Sequence, residues 1–231
     1  MLSMPDDAVE LIGKAELPDG GRLHLWRRGD DYSIRFGDNE LMGNQVRHSE
    51  EALATLACSR LQHRDSRILI GGLGMGFTLG AALKSLPSTA TISVAELVPE
   101  IVTWASGPLS HLFHDYLSDP RVRVEMADVH DVIAREKSAF DAILLDVDNG
   151  PDGLIHLAND RLYCNWGLRA AHAALRPKGI LAVWSAYADD AFVTRLENAH
   201  FDVEEVSVAA LVDGEDVIHT IWLASKQDDR R

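Results

Sequence analysis

Five residues, Gly72-Leu73-Gly74-Met75-Gly76, follow a short apolar stretch, Arg67-Ile68-Leu69-Ile70-Gly71. Glycines at such a place let the backbone turn sharply and approach a ligand, and a helix that follows offers free N–H groups. The dinucleotide fingerprint G-x-G-x-x-G, started at Gly72, needs Gly or Ala where Phe77 stands. The tighter spacing points instead to a nucleoside without a pyrophosphate. Glu96 ends the next apolar stretch, where a carboxylate can accept two hydrogen bonds from a ribose diol. Asp128 follows a third stretch; it either accepts from an adenine amino group or caps a helix beginning near Val129. Asp146 and Asp148 flank Val147 in a Gly/Pro-rich loop after a fourth stretch. Two carboxylates there can take a proton from an amine nucleophile, orient it or hold a positive charge. Asx turns are the structural alternative for such a cluster.

Other chemistry-bearing residues carry less. His111 and His114, with Asp115 adjacent, are spaced i, i+3 on an expected helix, but no third ligand is suitably spaced, so exposed helix residues are the reading and no metal is expected. Cys58 and Cys164 lack the histidine context of a nucleophile and read as free thiols. The five tryptophans, 26, 104, 166, 184 and 222, are scattered and read as core.

The elements that must position the acids come from the hydrophobic rhythm. Residues 21–28 and 32–36 alternate apolar and polar around the turn Gly29-Asp30-Asp31, an antiparallel hairpin. Ser49 is a good helix N-cap, Glu50 and Glu51 fall in the first turn, and Ala52, Leu53, Leu56, Ala57 and Leu61 form an apolar face. From Arg67 strands and helices alternate: strands at 67–71, 91–96, 121–126, 140–146 and 179–184, and helices at 77–86, from Pro99, at 160–175 and at 189–199. Segments 201–208 and 219–224 close the chain as a strand pair. The fold class is α/β, a mostly parallel Rossmann-like sheet covered on both faces. Ligands of such sheets bind beyond the carboxyl ends of the strands, where the four acidic positions fall. Residues 1–48 read as a hairpin extension, 49–226 as the nucleoside-binding domain and 227–231 as a frayed tail.

Composition excludes several classes. The chain of 231 residues is 46% hydrophobic and 25% charged, with a formal net charge of −14. Such a balance repels a phosphate backbone, so no nucleic acid is expected as a partner. No apolar run is long enough to span a membrane. The first ten residues carry Asp6, Asp7 and Glu10 and lack a basic start, which with two cysteines suggests a cytoplasmic protein.

The acids in their order, Gly-rich loop, Glu96, Asp128, Asp146, resemble class I S-adenosylmethionine-dependent transferases, whose sheet is of the seven-strand type. Within that fold the chain is similar to the spermidine-synthase-like family over about residues 21–224, through the N-terminal hairpin, Glu51-Ala52-Leu53-Ala54, the glycine loop, Ala95-Glu96-Leu97-Val98-Pro99-Glu100, residues 140–146 and Asp160-Arg161-Leu162-Tyr163. The resemblance implies that Glu96 holds the ribose, Asp128 the adenine and Asp146 the acceptor's proton. It places Gly72, Gly74, Met75, Gly76, Leu97 and Val129 in the cofactor-binding set, with Gln45 a loose match to a ligand-contacting glutamine and Asp148 helping to hold a positive charge. Aminopropyltransferases carry an acid where Met75 stands and a tyrosine where Ser49 stands. That acid faces the free amine of decarboxylated S-adenosylmethionine. Its absence leads to the expectation of methyl transfer from ordinary S-adenosylmethionine to a small acceptor such as an amine. Aminopropyl transfer is the alternative, and a non-catalytic nucleoside-binding protein the second alternative. The hairpin leaves an exposed strand edge that a second copy could cover, so a homodimer is expected.

Overall fold

The computed structural model describes residues 8–18, 20–62, 65–147, 150–151, 159–212 and 215–227. Asp148 lies outside them. Four N-terminal strands, β1 (Val9–Glu16), β2 (Arg22–Arg28), β3 (Asp31–Phe36) and β4 (Asn39–Gly43), form an antiparallel sheet in that order. The sequence reading gave only the β2–β3 hairpin. β1 escaped it because a register shift between Leu11 and Gly13 breaks the alternation, and β4 because it is short and starts with Asn-Glu. The shift has a use: a side chain at Gly13 would run into the Trp104 indole, so the glycine lets β1 rest on that ring.

After α1 (His48–Ser59) come β5 (Arg67–Gly71), α2 (Phe77–Ser85), β6 (Thr91–Glu96), α3 (Pro99–Ser106), α4 (Ser110–Phe113), β7 (Val122–Met126), α5 (Val129–Arg135) and β8 (Phe140–Leu145). Then follow α6 (Asp160–Tyr163), α7 (Asn165–Ala174), β9 (Leu175–Ser185), α8 (Asp190–Asn198), β10 (Phe201–Val212) and β11 (Glu215–Lys226). The seven strands from β5 onward are ordered β10-β11-β9-β8-β5-β6-β7. β5 to β9 run parallel, and β11 lies antiparallel to both β9 and β10. The expected α/β class and seven-strand sheet are those of the structure. The helix expected over 160–175 is two helices, because Cys164 is extended between them (φ −74°, ψ 164°) and residues from Leu175 onward enter β9.

The pleat divides the core into two layers. Ile68 and Ile70 of β5 with Ala142 and Leu144 of β8 face α1, α2, α3 and the N-terminal sheet. Leu69, Ile143 and Leu145 face α5, α7 and α8. β8 is buried at every residue, as its unbroken apolar run requires. Of the tryptophans, Trp104, Trp184 and Trp222 are buried; Trp166 is 59% exposed, stacked on His130 at 4.9 Å. His111 and His114 turn to different partners, the Tyr32 and Tyr116 rings, because α4 ends at Phe113 and His114 adopts φ 48°. Among the described residues no group of His, Cys, Asp and Glu is arranged to hold a metal, and no helix is long and apolar enough to cross a membrane.

Candidate active site

Sheet order gathers the acids. β5 lies between β8 and β6, so the chain leaves the sheet in opposite directions on either side of β5, and a crevice opens at their carboxyl ends. The loop 72–76 crosses it. Gly72 has φ +88°, and a Cβ there would sit 2.7 Å from the Asp146 carbonyl oxygen, so only glycine lets the loop pass the end of β8. Gly76, at φ +81°, starts α2 where a Cβ would meet the Phe113 ring. Thr78, two residues on, is thereby turned toward Asp146.

Glu96 is 6% exposed at the end of β6. Its Oε2 accepts from the Leu73 N–H and its Oε1 from the Val98 N–H, each at 2.8 Å. Burial pushes its pKa up; the surrounding backbone N–H groups pull it back. The carboxylate is thus fixed in direction and keeps a lone pair on each oxygen for a diol. Replacing Glu96 with Ala should weaken binding of methylthioadenosine more than about tenfold, since hydrogen bonds to a charged acceptor are worth about 1.5–3 kcal/mol each. Calorimetric titration measures this, and unchanged affinity would remove Glu96 from the site.

Asp128 does what the capping alternative proposed: its Oδ1 accepts from the His130 N–H at 2.8 Å, and Oδ2 pairs with Arg161. With Leu97 and Val129 it also borders a hollow of about 60 Å³ that Gly72 and Glu96 share. The larger cavity, about 150 Å³, lies between the loop 72–76 and a wall contributed by Leu17, Leu23, Phe36, Leu41 and Met42 of the N-terminal segment. Met75 is buried in it. Three acids border it, Glu50, Glu96 and Asp146, and among the described residues around it there is no Lys, Arg or His.

Glu50 is the residue the sequence reading missed. It was read as a first-turn charge favourable to the helix dipole. The structure puts it inside, beside Asp146, where its pKa is pushed up to about 7. Burial is the main cause and the Asp146 charge the second; the Ser49 hydroxyl, donating to Oε2 at 2.7 Å, opposes both. Asp146 is likewise raised by burial, against the Thr78 hydroxyl donating to its Oδ2 at 2.6 Å. Two part-buried carboxylates whose charges repel each other favour keeping a proton on Glu50 up to a pH of about 7. Ser49 is not the N-cap; the helix starts one residue earlier, and Ser49 is fully buried with its Oγ 2.8 Å from His219 Nδ1. The buried stripe of α1 is Ser49, Leu53, Ala54, Ala57 and Cys58, turned from the expected face. Extending Leu53 and Ala54 back by one helical repeat of four lands on Ser49 and Glu50, the signal that was available.

Gln45 is not among the residues that line the cavity. It is exposed, its amide is hydrogen-bonded to Asp31, and it borders a surface depression on the outer side of α1, away from the cavity that holds Glu96.

No family model matches the chain, and no curated protein matches its sequence. Solved structures do. A spermidine synthase crystallised with the transition-state analogue AdoDATO is 16% identical, with a TM-score of 0.72 over 95% of this chain and 73% of that one. The spermidine synthase of Thermotoga maritima is 17% identical, with a TM-score of 0.73 over 95% and 74%. A probable spermidine synthase from Corynebacterium glutamicum ATCC 13032 is 17% identical, with a TM-score of 0.66 over 94% and 80%. The chain has the fold of the spermidine synthases, a class I S-adenosylmethionine-transferase sheet beneath an antiparallel N-terminal sheet.

Proposed function

We propose that the protein transfers an aminopropyl group from decarboxylated S-adenosylmethionine to an amine. The carrying observation is the charge of the cavity: Glu50 and Asp146 side by side, and no cation among the described residues around it. Such a cavity favours a cationic donor and a cationic acceptor and repels the carboxylate of ordinary S-adenosylmethionine. Glu50 supplies from α1 the second acid that the loop lacks at Met75. The fold, shared with a spermidine synthase bound to a transition-state analogue, supports the same reading.

The residues present suit this donor. The loop 72–76 and Glu96 offer a nucleoside cradle with a carboxylate for the diol, and the hollow beside Asp128 leaves room for a base. The donor brings a carbon activated by a neighbouring sulfonium and its own leaving group. The protein has to align an amine with that carbon and remove its proton. Asp146 accepts the proton and Glu50 holds the ammonium before and after. An ammonium loses one proton, its lone pair forms the C–N bond, and the C–S bonding pair returns to sulfur. The product amine is again an ammonium, so one proton leaves per turnover.

Methyl transfer is the second reading, and Met75 is the observation that favours it, being apolar where an ammonium-facing acid would stand. Calorimetric titration separates the two. Decarboxylated S-adenosylmethionine is expected to bind more than about tenfold tighter than the ordinary form, from one repelled charge in a poorly solvated cavity. Equal or tighter binding of the ordinary form promotes methyl transfer.

A further inference from the structure

Ser49 Oγ is 2.7 Å from Glu50 Oε2 on one side and 2.8 Å from His219 Nδ1 on the other. His219 lies on β11, 170 residues away in sequence, and is half-buried. Glu50 and Asp146, both part-buried, line the cavity beneath the N-terminal wall, and the equally part-buried imidazole is joined to Glu50 through Ser49. We propose that Ser49 and His219 form the path along which a proton moves between the Glu50–Asp146 pair and solvent. The role in turnover rests on the amine-transfer reading above; the path itself does not.

The chemistry balances with the groups present. Protonated Glu50 donates to Ser49 Oγ, the Ser49 hydroxyl proton passes to Nδ1, and the imidazolium sheds its Nε2 proton to water. Glu50 is left a carboxylate, Ser49 a hydroxyl and His219 a neutral ring. A ring flip or tautomer exchange resets the chain. Burial pushes the His219 pKa down from its usual value, which keeps the ring from trapping the proton, and that of Glu50 lies at about 7. What faces the imidazole supports a transfer role. From α1 come Ser49 and, beyond it, Glu50; from β9 the Trp184 ring, edge-on at 4.9 Å; from β10 the register partner Val208. Among the described residues no carboxylate forms an ion pair with the ring to hold its charge.

The test uses the ligand-free protein, so it does not depend on which amine is the substrate. A light-triggered pH jump from 6 to 8 is followed by the infrared band of the protonated carboxyl pair. In Ser49→Ala the band should decay roughly tenfold more slowly or worse than in the wild type, the order of a lost positioned proton carrier. In His219→Ala it should slow likewise and be restored by added imidazole, while Ser49→Thr keeps most of the rate. The equilibrium midpoint of the band reports whether the pair is intact in each variant. Wild-type decay in Ser49→Ala with an unmoved midpoint, or no imidazole rescue of His219→Ala, would overturn the path. If decay slows as expected but no amine supports release of methylthioadenosine, the path stands and the amine-transfer reading fails.

Discussion

Asp146→Asn should lower turnover on the acceptor amine by about 10²–10⁴, the usual contribution of a positioned base, while methylthioadenosine binds nearly as before. The asymmetry follows from the geometry. The nucleoside cradle is built by the loop 72–76 and by Glu96, whose carboxylate is held by Leu73 and Val98 and does not touch the Asp146 side chain. Asn keeps the volume and the Thr78 hydrogen bond at 2.6 Å but cannot accept the ammonium's proton. Methylthioadenosine release under saturating donor, read alongside the titration, checks both halves. The loss should be strongly non-additive with Glu50→Gln, because the two carboxylates act on one proton. If Asp146→Asn abolished nucleoside binding but left the rate per bound complex unchanged, Asp146 would be a binding residue and the base would have to be sought elsewhere.

The largest expected effect on stability is a gain. The folded protein keeps Glu50 protonated up to pH of about 7, whereas an unfolded chain releases that proton near its model value of 4.5. Between those values the folded state binds more protons, so stability falls as pH rises from about 4.5 to 7, and the full penalty is present above. At 1.36 kcal/mol per pKa unit the penalty is at most about 3 kcal/mol. Glu50→Gln removes it and keeps the Ser49 hydrogen bond. The variant should therefore match the wild type at pH 4.5 and melt several degrees higher at pH 8, about 2–4 °C per kcal/mol for a chain of this size. The same substitution should weaken amine binding, and in the wild type amine affinity should fall as pH drops through 7, where the pair gains its proton. Equal melting temperatures at pH 8 would show that Glu50 carries no such strain.

Much of this site could be read before any fold was known. Glu96 and Asp146 each end an apolar run, and the sheet places such ends together whatever the details of packing. The glycine loop was legible for the same reason, since a strand that must turn at once into a helix over a ligand needs residues free of Cβ. The sequence favours Asp128 as an adenine acceptor with a helix cap as the alternative, because a carboxylate one residue before a helix suits both; the structure engages it in the cap and in an ion pair with Arg161. Glu50 was read as a surface charge because an acid in the first turn suits the helix dipole whichever side of α1 faces the sheet; Gln45, five positions before it and ahead of α1, is not in the cavity lining.

What the sequence by itself determined was the succession of strands from Arg67 onward, the α/β class and the acids at the strand ends, all properties of short segments with a clear apolar spacing. What only the tertiary structure decided was which distant residues meet. The N-terminal sheet closes over the crevice through Gly13 on Trp104, and α1 carries Glu50 against Asp146. β11 brings His219 to Ser49. Each of these juxtapositions is set by how whole elements pack: the spacing within α1 can put Ser49 and Glu50 on its buried stripe, but not name the distant residues they meet. The ionisation of Glu50, and with it the preference for a cationic partner, comes from burial and a neighbour's charge, which exist only once the chain has folded.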